Sequence, residues 1–176
     1  MAVSAKMLGC PSQVINNLTS FKMAEEEYEK ILFQFHSDVL DEETIETMWA
    51  VVIDKEKGLY KLDSIPFYAP NVAANDIIYA EFDEDQEQLT YRHTVEASGN
   101  STVQVVILDS GTDTNEIREM FDSLGCSSEK YSEGYFVIDV PSSLNYSAVQ
   151  NKLIELQNAG ILDYAEPCLS KKHGLE

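Results

Sequence analysis

Residues 102–165 read TVQVVILDSGTDTNEIREMFDSLGCSSEKYSEGYFVIDVPSSLNYSAVQNKLIELQNAGILDYA, and the hydrophobic period changes several times along them. Thr102 to Leu108 alternates, with Val103, Val105 and Ile107 on one face, as a strand does. Asp113 stands where a helix N-cap belongs, and Glu116 occupies the reciprocal capping position. Ile117, Met120, Phe121 and Leu124 then follow the i, i+3, i+4, i+7 spacing of a helical stripe, and Gly125 ends it. Ser127–Tyr131 and Tyr135–Val140 predict a hairpin about Ser132-Glu133-Gly134. A second helix begins at Ser143 or Asn145, carries Val149, Leu153 and Leu156 on one side, and stops at Gly160. Ile161 to Ala165 is the last strand, closed off by Pro167. The order β-α-β-β-α-β is the split βαβ pattern, with both helices on one face of a four-stranded antiparallel sheet.

Upstream the signals are those of strands and turns. Ile31 to Phe35 is short, apolar and aromatic, and Met48 to Ile53 is a near-continuous apolar run. Asp38 to Glu46 is polar and acidic, and predicts a loop or one helical turn. Lys55-Glu56-Lys57-Gly58 turns the chain into Leu59–Leu62. Pro66 and Pro70 hold Phe67-Tyr68 in an extended segment that no central strand accommodates. Asp76–Phe82 and Leu89–Ala97 are two further strands around the tip Asp83–Glu87. In the second of these, Leu89, Tyr91, His93, Val95 and Ala97 share one face. The fold class is therefore α+β. An N-terminal antiparallel β lobe, curled into a small open barrel, precedes a ferredoxin-like lobe. The expected organisation is an irregular leader over 1–23, the β lobe over 24–100, the βαββαβ lobe over 101–170 and a tail over 171–176. Within the leader, Val14, Ile15, Leu18 and Phe21 have helical spacing.

Composition narrows the function. Of 176 residues 44% are hydrophobic, enough for a packed core, while 31 Asp and Glu stand against 12 Lys and Arg, a formal charge of −19. Such a surface repels phosphate backbones and anionic lipid heads, so neither nucleic acid nor membrane is an expected partner. A basic protein is, drawn in by long-range attraction. Cys10, Cys126 and Cys168 are odd in number and widely spaced, which suits neither a disulfide framework nor zinc. No signal peptide or membrane-length apolar run opens the chain, and a cytoplasmic location is expected. The glycosylation-type triplets at Asn17, Asn100 and Asn145 then carry no meaning.

No catalytic constellation is legible, and no enzyme activity, metal or cofactor is expected. Ser98-Gly99-Asn100-Ser101-Thr102, joining the lobes, is the most site-like stretch. Small hydroxyl residues about a glycine can turn backbone N–H groups toward an anion, but with no Lys or helix N-terminus beside them a tight turn linking two strands explains them better. A hydrolase elbow is excluded by the missing outer glycines and by strands on both sides. His36, His93 and His173 are far apart, and His93 falls on the apolar face of its strand, as a half-buried structural histidine would. Asp83, Asp85 and Glu87 alternate at a hairpin tip without the glycine and final glutamate of a calcium loop. Trp49, Phe67, Tyr68 and Tyr79 could line a pocket, but aromatics on strands usually make a core, and a core is the expectation. Cys126 follows a helix end, where the dipole disfavours a thiolate.

The ordered series Ile31–Phe35, Glu46-Thr47-Met48-Trp49-Ala50, Ile65-Pro66-Phe67, Asn75-Asp76-Ile77-Ile78 and Ser98-Gly99-Asn100-Ser101-Thr102 resembles an uncharacterised bacterial family of small domains, over about residues 30 to 168. That resemblance implies no activity. By type rather than motif, the chain is similar to the immunity proteins of bacterial toxin systems. This second likeness implies a non-enzymatic inhibitor that covers the active site of a basic toxin domain, such as a nuclease, with carboxylates in place of phosphates. Its contact set would be Asp41, Glu42, Glu43 and Glu46 with Asp83, Glu84, Asp85 and Glu87. The alternative is a regulatory module holding a small ligand at Ser98 to Thr102, an expectation from fold analogy.

Overall fold

In the computed structural model, residues 26–37 and 42–174 are described. They form β1 (Tyr28–Ser37), β2 (Glu42–Asp54), β3 (Leu59–Leu62), β4 (Ile77–Asp83), β5 (Gln88–Glu96), β6 (Ser101–Ile107), α1 (Thr114–Asp122), β7 (Ser127–Ser132), β8 (Tyr135–Val140), α2 (Tyr146–Asn158) and β9 (Leu162–Cys168). The last six elements make the βαββαβ lobe, with sheet order β7-β8-β6-β9 and every neighbouring pair antiparallel. Asp113 caps α1 by accepting a hydrogen bond from the Asn115 N–H. Of the two candidates for α2, Asn145 is the cap, through Ser147 N–H. Both helices press on one face of the sheet. Val103, Val105, Ile117, Phe121, Phe136, Ile138, Val149 and Leu153 are buried together there. Met120 is the one member of the α1 stripe left 42% exposed.

The N-terminal lobe is a closed five-stranded barrel, β1 to β5 in order, rather than the expected open one. Closure comes from a parallel pairing of β1 with β5 at Leu32 and Thr90, a contact between distant strands that no local pattern announces. Its interior holds Ile31, Phe33, Met48, Ala50, Tyr60, Leu62 and Ile78, with Tyr91 stacked on Phe33 at 4.6 Å. Glu42 to Glu46 is strand, not loop or helix. Ten residues of β1 pair in register with β2, from Tyr28 with Val51 to Ser37 with Glu42, and that ladder outweighs the charge of the acidic stretch. Its Asp38–Asp41 part lies outside the described residues, as does the leader.

Two further expectations fail for a common reason. The β4–β5 ladder slips between Tyr79 and Ala80, so His93 faces Tyr79 but Tyr91 faces Ala80. A bulge breaks strict alternation, which turns His93 and Val95 out to solvent instead of into the core. At the other end β9 runs past Pro167 to Cys168, again with a register slip, opposite Thr102 and Gln104. It is an edge strand, where a missing N–H is tolerated.

The segment 63–76 ties the lobes. Ile65, Ala74 and Val137 form a third buried cluster on the sheet face that the helices leave uncovered. The Phe67 carbonyl accepts from Gln104 Nε2 at 2.8 Å and from the Tyr135 hydroxyl. Thr102 Oγ1 donates to the Val72 carbonyl, and Asn71 N–H to that of Pro167.

Candidate functional site

The proposed acidic contact set does not form one surface. From the Leu32–Thr90 bridge, β1 runs five residues on to Ser37, the partner of Glu42, while the Glu87 end of the hairpin lies three residues back along β5. At ~3.3 Å per residue in parallel strands, the two acidic groups stand about 25 Å apart, at opposite ends of the barrel. Asp41 lies outside the described residues. Glu42 and Glu43 are exposed. Glu46 is committed internally. Its carboxylate accepts from the N–H groups of Phe67, Tyr68 and Ala69 at 2.8, 3.0 and 2.8 Å, which fixes the Pro66–Pro70 turn against the barrel. Asp83 is committed too, to Arg92 Nη2 at 2.8 Å and to the N–H groups of Asp85 and Gln86. These bonds, the Arg92 guanidinium first, hold its carboxyl below the usual range. Glu84, Asp85 and Glu87 remain exposed at the tip, Glu87 with a φ of 54°.

The Ser98–Thr102 junction is knitted shut rather than open to a ligand. Gly99 supplies a φ of 83°, and the Asp76 carboxylate accepts from the Ser98 N–H at 2.8 Å. Asn100 donates to both oxygens of Asp139 at 3.0 and 3.1 Å, and its own oxygen accepts from Ser142 N–H. Burial is the main reason the Asp139 carboxyl is pushed up to about 6, against the pull of Asn100. Ser101 Oγ accepts from Ser170 N–H at 2.8 Å and lies 2.8 Å from His173 Nδ1. This Ser–His contact spans the whole second lobe and has no sequence signal. Ser101 has no exposed surface and His173 is 6% exposed, so the hydroxyl lacks the access a nucleophile requires. Burial also pushes Cys126 up to about 12 and Cys168 up to about 11, which disfavours the thiolate form of both. Among the described residues, no group of three or more His, Cys, Asp or Glu is arranged to hold a metal ion, and no helix is long and apolar enough to cross a membrane.

A cleft between the lobes was not foreseen. Its volume is about 440 Å³, and it is lined by Tyr28, Trp49, Asp63, Ser64 and Glu129. Trp49 and Tyr28, expected respectively in the core and in no particular place, are 49% and 44% exposed. The reason is the pleat of β2. Met48 and Ala50 point inward, so Trp49 between them points out. Its backbone is held on both sides, N–H to Ser64 Oγ at 3.1 Å and carbonyl to Asp63 N–H at 2.9 Å. Glu129 reaches in from β7, and its carboxyl is raised by partial burial and by the neighbouring Asp63 and Glu46 charges.

The sequence profile of a domain of unknown function, DUF4265, matches residues 46–164. The chain belongs to the DUF4265 family. A solved structure described as a hypothetical protein from Neisseria gonorrhoeae is similar to it, with a TM-score of 0.71 and 25% identity over 84% of this chain and 99% of that one. No curated protein matches the chain. The DUF4265 span takes in Trp49, Asp63, Ser64 and Glu129 of the cleft and the whole 83–87 hairpin, and leaves out Tyr28, Glu42, Glu43 and His173. The expected likeness to an uncharacterised family of small domains is thus met in this DUF4265 membership.

Proposed function

We propose that this protein is a non-catalytic binder of a basic protein, acting by covering its partner's surface in the manner of an immunity protein. The observation that supports the reading most directly is the outward row of β2. Ile45 is 61% exposed, Trp49 49% and Ile53 51%, on a strand that opens with Glu42 and Glu43. Large apolar side chains held in water beside carboxylates suit a docking surface with an apolar centre and a charged rim. A formal charge of −19 favours a basic partner and speeds its approach.

The contact set is accordingly narrower than charge alone implies. Glu42 and Glu43 fall beside the β2 row. Glu46 and Asp83 serve the fold, and the hairpin tip lies at the other end of the barrel. A small ligand at Ser98–Thr102 has less to recommend it, because the polar groups there already bond one another. The test is co-purification followed by calorimetry with the purified partner. Affinity should drop as salt rises, and Ile45→Asp should weaken binding by about a hundredfold, as removal of a central apolar contact does. Recovery of no basic protein, or an affinity indifferent to both Ile45→Asp and Glu42→Lys, refutes the reading.

A further inference from the structure

The interlobe cleft has a chemistry of its own. Two aromatic rings, Tyr28 and Trp49, meet two carboxylates, Asp63 and Glu129, in about 440 Å³ of open space. Aromatic faces and carboxylates favour one ligand class in common, an organic cation. The protein already shows this preference internally, since the Lys30 ammonium sits 4.8 Å from the centroid of the Trp49 ring. The nearest guanidinium by its effect on Glu129, that of Arg118, is engaged elsewhere, with Ser128 Oγ at 3.1 Å and Ser128 carbonyl at 2.9 Å. Glu129 and Asp63 both line the cleft, and the Asp63 charge is among the causes that raise the Glu129 carboxyl.

We infer that this cleft is the anchor pocket for an arginine side chain of the protein partner, with the guanidinium stacked on Trp49 and Tyr28 and held by Asp63 and Glu129. Arginine fits better than lysine. Its planar, weakly hydrated head stacks on rings and bonds carboxylates through a fork of donors, which a compact, strongly hydrated ammonium does not. The cleft residues are tied to the fold at several points. Trp49 is tied through its backbone to Asp63 and Ser64, Glu129 Oε1 accepts from Ile65 N–H at 3.5 Å, and Tyr28 bonds Glu26 through its hydroxyl at 3.0 Å. This inference rests on the protein-binding reading above and names the place where the partner is gripped.

Trp49 is the sole tryptophan of the chain, so its emission reports on the cleft directly. The full chain is titrated with a nona-arginine peptide and with a nona-lysine peptide, following fluorescence. Arginine should change the emission saturably and bind about tenfold more tightly than lysine. Glu129→Gln and Asp63→Asn should each weaken it about tenfold, while Asp85→Asn at the hairpin tip should leave it within about twofold. Equal binding of the two peptides, or an affinity that survives both cleft substitutions, overturns the assignment. Loss on Asp85→Asn instead would move binding to the hairpin, overturning the cleft but keeping the acidic binder. No binding of either peptide, together with no basic protein recovered by co-purification, removes both.

Discussion

At the scale of single residues, two carboxyl groups illustrate opposite uses of burial. Asp139 is raised to about 6 because its charged form is desolvated. A carboxyl raised above its unfolded value stabilises the fold below the unfolded pKa, and that contribution fades as pH rises through about 6. Asp139→Asn should therefore flatten the fall in stability between about pH 4 and pH 6, a change of about 3 kcal/mol measured by urea unfolding at several pH values. His173 has the reverse sign, since burial lowers its pKa. Its contribution is present above the unfolded value and declines as pH drops below it, so His173→Gln should remove a loss of stability on the acid side. Glu46 acts differently, as an acceptor for three backbone donors. Glu46→Ala strands them, and denaturant titration should show a loss of about 2–4 kcal/mol.

Elements place these residues, and turn chemistry places the elements. The β2–β3 turn depends on Gly58, whose φ is 65° and where an added Cβ would lie 2.6 Å from the Ala80 carbonyl oxygen. Gly58→Ala meets both the strained conformation and backbone of the neighbouring strand. Thermal melts should register a loss of about 2 kcal/mol or more, against well under 1 for Gly160→Ala beyond its own positive-φ strain. At Gly160 no atom lies within 4 Å of the added carbon. The bulge in β4–β5 belongs to this scale too. It decides that His93 and Val95 meet water while Leu89 and Tyr91 pack inward.

For the molecule as a whole, the 63–76 segment converts two lobes into one cooperative unit. Ile65 and Ala74 share a buried cluster with Val137 of the second sheet, and hydrogen bonds from Gln104, Tyr135 and Thr102 reach across to the same segment. Calorimetry should show a single unfolding transition, and Val137→Ala should lower it by the ~1–3 kcal/mol of a buried truncation without splitting it. Two resolved transitions in the unaltered protein would refute this coupling.

Local periodicity was enough to determine the second lobe. Its caps at Asp113 and Asn145, its stripes and its hairpin are short-range consequences of side-chain spacing, and they give the strand order once the helices must share a face. Most of the barrel strands were likewise legible, although neither the Glu42–Glu46 part of β2 nor the burial of Cys126 was. Tertiary structure alone decided the rest, because each remaining feature joins residues far apart in the chain. Barrel closure needs Leu32 beside Thr90, the committed carboxylate of Glu46 needs the turn at Phe67–Ala69, and the interlobe cleft needs Trp49 of the first lobe together with Glu129 of the second. A sequence shows which side chains carry charge or apolar surface. Only the folded chain shows which of them still face water.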